Sequence, residues 1–232
     1  ARRHDGLFYL PAVPDDTQQR KGDLKNFYHN LDFIEHASAD YILLANGSFV
    51  YNVDFDKVLR FHQNTGADIT LVSHTTEDEN TGYNVVLETA ENGLILDITE
   101  KPVAYEGLKV SMGVYLMEKA VFVECVRYAY EHGGQSFLLD GIIRRAANYT
   151  MFAYAHDGYM AHVDSMSTYY RANMEILDPS VWEELFMGER PIRRSRTASL
   201  SSTRTRRRWR TLSSRTAASY AARWRTASCF AV

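Results

Sequence analysis

Four short segments hold the residues whose types and spacing could do chemistry. Asn46-Gly47-Ser48 is a polar turn directly after the apolar run Tyr41-Ile42-Leu43-Leu44-Ala45. Glu100-Lys101-Pro102 sets a carboxylate beside an ammonium, and Ser111-Met112-Gly113 sets a hydroxyl beside a position where the backbone can be approached closely. Asp164-Ser165-Met166-Ser167-Thr168 opens with a carboxylate after an apolar stretch. Each has an ordinary reading when taken alone. Lys101 is a solvated surface lysine, Ser48 is a turn residue, and Asp164 is an N-cap for the helix around Thr168. Asp54 and Asp56 with Lys57 mark a helix start. The eight histidines show no metal-ligand spacing, and Cys125 and Cys229 form neither a disulfide framework nor a metal pattern.

The elements that must position these segments follow from periodicity. Tyr41–Ala45 reads as a central strand buried on both faces. Before it, Leu24, Phe27, Tyr28, Leu31 and Ile34 fall on one face of a helix that Gly22-Asp23 could open. Residues 54–65 predict a helix ended by Gly66, and Ile69–Val72 the next strand. Asn84–Glu88 and Leu94–Ile98 flank Glu91-Asn92-Gly93, a hairpin in which Asn-Gly takes positive φ. Val110–Met117 is a strand, Glu118–Glu131 a helix closed by Gly133-Gly134, and Phe137–Asn148 another helix. Strands at Thr150–Ala155 and Tyr159–Val163 lead to helices at Thr168–Leu177 and Pro179–Phe186, with Pro191 as the stop. Alternating strands and helices imply an α/β fold, a doubly wound, mainly parallel Rossmann-type sheet with right-handed crossovers and a β-hairpin excursion. Ligands of such sheets bind outside the carboxyl ends of the strands, which points to the region after Ala45, around Ser111 and near Asp164. No Gly-rich phosphate loop precedes the first strand read here, so the first strand and its loop are expected to be missing.

The net charge of −3 hides two regions of opposite character. Residues 193–232 hold eleven Arg and no Lys, Asp or Glu, leaving residues 1–192 with 15 basic against 29 acidic side chains. The acidic body repels polyanions, so nucleic acid is not an expected partner. Arg, Ser, Thr and Ala make up 32 of the 40 tail residues, with no apolar period, so the tail is expected to be disordered or irregular. Arg208-Trp209-Arg210-Thr211 recurs as Arg223-Trp224-Arg225-Thr226, and one codon choice for both copies reads Val-Glu-Asn two bases later. The tail therefore reads as a shifted frame over a left-handed β-helix of hexapeptide turns. No run approaches the roughly 18 to 20 apolar residues that cross a bilayer, and no signal peptide is evident at Ala1. A cytoplasmic protein without a membrane partner is expected.

In order, LLANGSFVYNVDF, Glu100-Lys101-Pro102, Ser111-Met112-Gly113-Val114-Tyr115 and DSMSTYYRANMEIL resemble the catalytic domain of ADP-glucose pyrophosphorylases, over residues 1–192. RHDGLFYLP, GDLKNFYHN and DPSVW are similar to the regulatory, GlgD-type members of that family. The resemblance implies a nucleotidyltransferase-like domain at 1–192. It also implies that Lys101 matches the lysine that holds the sugar phosphate, with Glu100 beside it, and that Ser111 and Gly113 match the contacts to glucose. Asp164 matches one metal carboxylate, whereas Ser48 stands where the active family has the other. A hydroxyl is a poor Mg²⁺ ligand beside a carboxylate, so the family's Mg²⁺ is doubtful in this chain and no catalytic residue is assigned. Residual glucose-1-phosphate binding is the expectation that remains.

What the resemblance implies overall is a regulatory, non-catalytic subunit that packs against a catalytic ADP-glucose pyrophosphorylase subunit in glycogen synthesis. The alternatives are a nucleotidyltransferase that is active at full length and a truncated gene product without function.

Overall fold

The computed structural model describes residue 10 and residues 22–76, 80–186 and 227–231. The expectations for a phosphate loop, for Pro191 and for the repeated Arg-Trp-Arg-Thr units concern positions outside the described residues.

The chain enters through helices α1 (Leu24–His29) and α2 (Leu31–Glu35). The sequence reads as one continuous helix here, but the helix breaks at Asn30, whose side-chain amide turns back to donate to the Asn26 carbonyl at 2.8 Å. The buried face is the expected one: Leu24, Phe27, Leu31 and Ile34. Strand β1 (Tyr41–Ala45) follows with its three central residues buried, and then the short β2 (Phe49–Tyr51). Helix α3 (Phe55–Thr65) is capped by Asp54, which accepts the Asp56 N–H, and ends on Gly66 at φ +62°.

Strand β3 (Ile69–Thr75) leads to the hairpin of β4 (Asn80–Thr89) and β5 (Ile95–Ala104). Gly93 in its turn sits at φ +84°, and the Asn92 side chain accepts the Leu94 N–H. The hairpin is longer than its sequence signal, so Glu100 and Lys101 lie within β5 instead of following it. Next come β6 (Lys109–Glu118), α4 (Lys119–Glu131), β7 (Met151–Ala155), β8 (Met160–His162), α5 (Met166–Glu175), α6 (Pro179–Phe186) and β9 (Ala227–Ala231).

The helix expected over Phe137–Asn148 is instead a π-helical turn, Phe137–Ile142, running into a 3-10 turn, Ile143–Asn148. Asp140 explains the departure. Its buried carboxylate accepts the Gln135 and Ser136 N–H groups at 2.7 and 3.0 Å, which pulls the backbone out of α register.

The fold class is α/β, but the sheet is mixed, which corrects the mainly parallel expectation. Strand β6 pairs antiparallel with β1, with β3 and, at Val86–Val110, with β4. Only β3–β7 and β1–β9 are parallel among the described pairs. The hairpin is the cause, because a chain returning from two antiparallel strands enters β6 in the reverse sense to β1 and β3. A separate antiparallel pair joins β2 to β8. The Arg-rich tail was expected to be irregular, yet Ala227–Ala231 within it is a strand, since the open edge of β1 offers unpaired backbone groups that extended chain can satisfy.

One core cluster holds α1, α2 and α4 against the sheet through Phe27, Phe122 and Phe137, whose rings meet at centroid distances of 5.1 to 5.4 Å. On the opposite face Val58 of α3 packs with Leu43, Val72, Met112, Val114 and Leu116 of the sheet.

Candidate functional site

The turn after β1 is fixed by its first residue. The Asn46 N–H donates to the Gly113 carbonyl at 2.9 Å, which ties the turn to β6. The Asn46 side-chain oxygen accepts both the backbone N–H and the hydroxyl of Ser48, each at 2.9 Å. This is an Asx-type turn in which the Ser48 hydroxyl is committed to its own loop.

Strands β2 and β8 bring a distant segment to this turn. Phe49 pairs with His162, their rings stacked at 4.3 Å and 12°. One residue further the Val163 N–H donates to the Ser48 carbonyl at 2.7 Å. Asp164 is the next residue after this bond, so it follows directly on the strand end held by the Ser48 turn. Burial lowers the pKa of His162 and the Asp164 charge pushes it back up.

Asp164 is not the N-cap of α5. Ser165 takes that place, in a capping box closed by Thr168. The Thr168 hydroxyl accepts the Asp164 N–H and lies 3.1 Å from its Oδ1, so the carboxylate is drawn toward the helix start. Serine wins the cap because its short hydroxyl reaches the N3 amide, whereas Asp164 lies one residue further from the helix.

Ser111 and Gly113 sit on β6, where the pairing slips between Val72 and Ser73. This bulge places Gly113 at φ +67° and lets its N–H donate to the Ser111 hydroxyl at 3.2 Å. A β-carbon on Gly113 would lie 2.7 Å from the Asn46 β-carbon and 3.2 Å from the Phe49 ring. The glycine is what allows β6 and the Ser48 turn to touch.

Glu100 and Lys101 do not converge as a pair. Consecutive residues of a strand face opposite sides, so Glu100 shares the face of Ile98 and Lys101 that of Thr99. Glu100 lies on the face of Ser111 and Tyr115. It contributes to a field that, with burial as the larger cause, pushes the Tyr115 phenol up to about 12, against a hydrogen bond from Ser111. Partial burial also raises the Glu100 carboxyl itself. Lys101 instead shares a face, through the ladder partners Thr99–Val86 and Val86–Val110, with the patch on which Met160 of β8 packs.

The structure thus gathers Ser48, Gly113, Ser111 and Asp164 around one turn, with Glu100 and Lys101 on two sides of the adjoining hairpin. Asn46, Phe49, His162 and Tyr115 shape the site although the sequence reading gave none of them a role of its own. Asn before Gly-Ser is a recognised side-chain turn signal that could have singled out Asn46. Tyr115 lies four residues from Ser111 on one strand, hence on its face.

Of the oxygen ligands that Mg²⁺ takes, this turn offers one carboxylate, which lies 3.1 Å from the Thr168 hydroxyl, and one hydroxyl, which is bonded to Asn46. Among the described residues no three His, Cys, Asp or Glu side chains gather closely enough to hold a metal. No helix among them is long and apolar enough to cross a membrane.

Comparison with known proteins fits this architecture. The chain is 28% identical over 161 residues to a glucose-1-phosphate adenylyltransferase of Mycoplasma mobile, covering 67% of this chain and 42% of that protein. It is 28% identical over 188 residues to the enzyme of that name from Desulfitobacterium hafniense, covering 78% and 47%. It is 23% identical over 192 residues to the glycogen biosynthesis protein GlgD of Bacillus subtilis, covering 82% and 46%. The chain therefore spans less than half the length of these relatives. Among solved structures, HddC from Yersinia pseudotuberculosis has the same fold, with a TM-score of 0.50 and 16% identity over 69% of this chain and 64% of that one. Residues 12–179 match the nucleotidyl transferase family, and the chain belongs to it.

Proposed function

We propose that this chain is the nucleotidyltransferase-like part of a regulatory subunit of ADP-glucose pyrophosphorylase, acting in glycogen synthesis and not catalytic by itself. The observation that carries the reading is the pair formed by Ser48 and Asp164. The turn is held by its own backbone contacts and presents a hydroxyl, already bonded to Asn46, where the resemblance puts the second carboxylate that holds Mg²⁺ on a triphosphate. Loss of one charged ligand leaves the other without a partner metal, so in-line attack of a sugar phosphate on ATP lacks its electrostatic support.

The sugar side is better preserved. The Gly113 N–H bonds the Ser111 hydroxyl and Glu100 acts on Tyr115 of the same strand face, which supports weak binding of glucose-1-phosphate. Lys101, on the other face of β5, is less suited to the phosphate than its neighbour in sequence would suggest.

A protein partner is supported by the outer surface of α5 and α6. Met166, Tyr169, Tyr170, Met174, Leu177, Trp182 and Phe186 are all exposed there within 21 residues. Tyr, Trp and Met are the side chains enriched at protein interfaces, and a monomer rarely leaves so many together. A catalytic paralogue is the partner this reading assigns, and a reducing cytoplasm its setting.

The test is ADP-glucose formation by the full-length protein alone and mixed with its catalytic paralogue. The proposal expects no turnover alone and a changed KM or kcat of the paralogue on mixing. Turnover by the protein alone, abolished by Asp164→Ala, would establish the catalytic alternative instead.

A further inference from the structure

Helix α4 buries one face, through Phe122, Cys125, Val126 and Ala129. Ala120, Val123, Glu124, Arg127, Tyr128 and Glu131 recur at i, i+3, i+4, i+7, i+8 and i+11, which is the face turned away from that core. Together with Lys119 and with Glu35 of α2 they line a groove of about 620 Å³. Ala120, the half-buried Val123 and the ring of Tyr128, 40% exposed, give the groove its apolar lining.

The rim of the groove is balanced in charge. Arg127 pairs with Glu35, and the Glu124 carboxylate accepts a hydrogen bond from Arg145 Nη2 at 2.6 Å, which holds its carboxyl below the usual range. Lys119 donates to the Glu35 and Ala37 carbonyls, and Glu131 closes α4. Three carboxylates thus stand with three cations, on a body of 15 basic against 29 acidic side chains over residues 1–192. Two copies of so acidic a body repel one another, and a balanced patch lowers that cost where they meet.

The order of side chains along α4 is also its own complement. With a second α4 laid antiparallel about a two-fold axis between Cys125 and Val126, Glu124 comes opposite Arg127 of the other copy and Val123 opposite Tyr128. Lys119 lies within one residue of facing Glu131. Each pair occurs twice, and no two like charges are set against each other.

We propose that the outer face of α4 is a homotypic docking surface, on which a second copy of this chain packs α4 against α4 about a two-fold axis. Val123 and Tyr128 supply the apolar contact, while the ion pairs fix direction and register more than they add affinity. The contact is short, so the dissociation constant falls at about 10 to 300 micromolar. The inference goes beyond the regulatory reading and does not rest on it, since among the described residues neither α5 nor α6 belongs to the cluster that holds α4.

Sedimentation velocity of the chain from about 5 to about 500 micromolar tests it. The proposal expects a monomer–dimer equilibrium. Arg127→Glu sets like charges opposite each other at both central pairs, and so does Glu124→Arg, so each alone weakens self-association at least tenfold. Mixed in equal amounts, the two variants meet with opposite charges at both pairs and recover the parent affinity within about threefold, which a merely damaged fold cannot do. A parent chain that stays monomeric throughout, single reversals that leave the affinity unchanged, or a mixture that does not associate overturns the proposal. A dimer abolished by Tyr170→Glu overturns it as well, because the contact then lies on α5.

Glu124→Arg brings a second guanidinium beside Arg145, whose side chain is only 13% exposed. If that variant does not fold, Lys119→Glu and Glu131→Lys make the same reversal at the outer pairs, and the same comparison of single variants with their mixture decides.

Discussion

The Ser48 carbonyl accepts the Val163 N–H at 2.7 Å, and this one backbone bond places the turn after β1 against the strand end that carries Asp164. Two segments separated by more than a hundred residues thereby share one loop cluster, held further by the Phe49–His162 stack.

Restoring the second carboxylate should restore metal binding. In Ser48→Asp the new carboxylate meets the Asn46 side-chain oxygen, so the amide must flip to donate its NH₂ group, and without metal the variant loses stability. With Mg²⁺ at ten times its dissociation constant the gain is about 1.4 kcal/mol, or about 3 to 6 °C in Tm for a domain of this size. Thermal unfolding with and without millimolar MgCl₂ at constant ionic strength checks it. The expected result is a Mg²⁺-dependent rise for Ser48→Asp and none for the parent chain.

Gly113→Ala should be far more costly than Gly107→Ala, although both glycines have positive φ, +67° and +82°. At Gly107 an added β-carbon meets nothing within 4 Å, so the cost is that of a left-handed backbone, about 1 to 2 kcal/mol. At Gly113 the β-carbon overlaps Asn46 and crowds Phe49, adding about 1 to 3 kcal/mol of overpacking. Urea unfolding of the two variants measures the difference, and equal losses would mean that the turn and β6 do not touch as described.

Much of this was legible in advance, and the failures have physical causes. Strand β1 announced itself by an unbroken apolar run, and α3 by Asp54 at one end and Gly66 at the other, since those signals are local. Strand direction is not local. Nothing in the period of Val110–Met117 says that β6 runs against both its neighbours, because side chains alternate identically in parallel and antiparallel sheets. Sequence adjacency also misled at Glu100-Lys101, where neighbours in the chain are opposite in space. At Phe137–Asn148 the apolar pattern was right, but buried Asp140 claimed two backbone donors and changed the type of helix. In the tail, composition carried no sign of the β1 edge that Ala227–Ala231 pairs with.

Acidification should destabilise the fold through three histidines. Burial lowers the pKa of His62, His156 and His162 from the ordinary 6.5, with Asp68 partly opposing it for His62 and Asp164 for His162. His62 is also bonded through Nδ1 to the Thr70 hydroxyl at 2.8 Å. A group whose folded pKa lies below its unfolded one is protonated first in the unfolded chain. Its stabilising contribution is therefore complete above about pH 6.5 and is lost as the pH falls toward the folded value. Asp23, raised above 3.8 chiefly by burial, acts in the opposite sense but in a lower pH range, so it does not cancel the loss. Urea midpoints between pH 7.5 and 5 should fall for the parent chain, and His62→Asn, which keeps a partner for Thr70 but cannot titrate, should fall less steeply.

The exposed face of α5 and α6 gives the most direct check on the partner. Tyr170 is 67% exposed and Trp182 38%, so a charge at Tyr170 removes apolar contact area without opening a hole in the core. Tyr170→Glu should leave Tm nearly unchanged, because surface substitutions away from caps and cores usually stay within about 0.5 kcal/mol. If this face seats the catalytic paralogue, the same substitution leaves a carboxylate facing apolar surface and weakens association at least tenfold, which corresponds to about 1.4 kcal/mol. Ultracentrifugation of the full-length pair reads the affinity, with Tyr105→Glu in the turn between β5 and β6 as the exposed aromatic control. Equal affinity in both variants would move the interface away from α5 and α6 and withdraw their support from the regulatory reading.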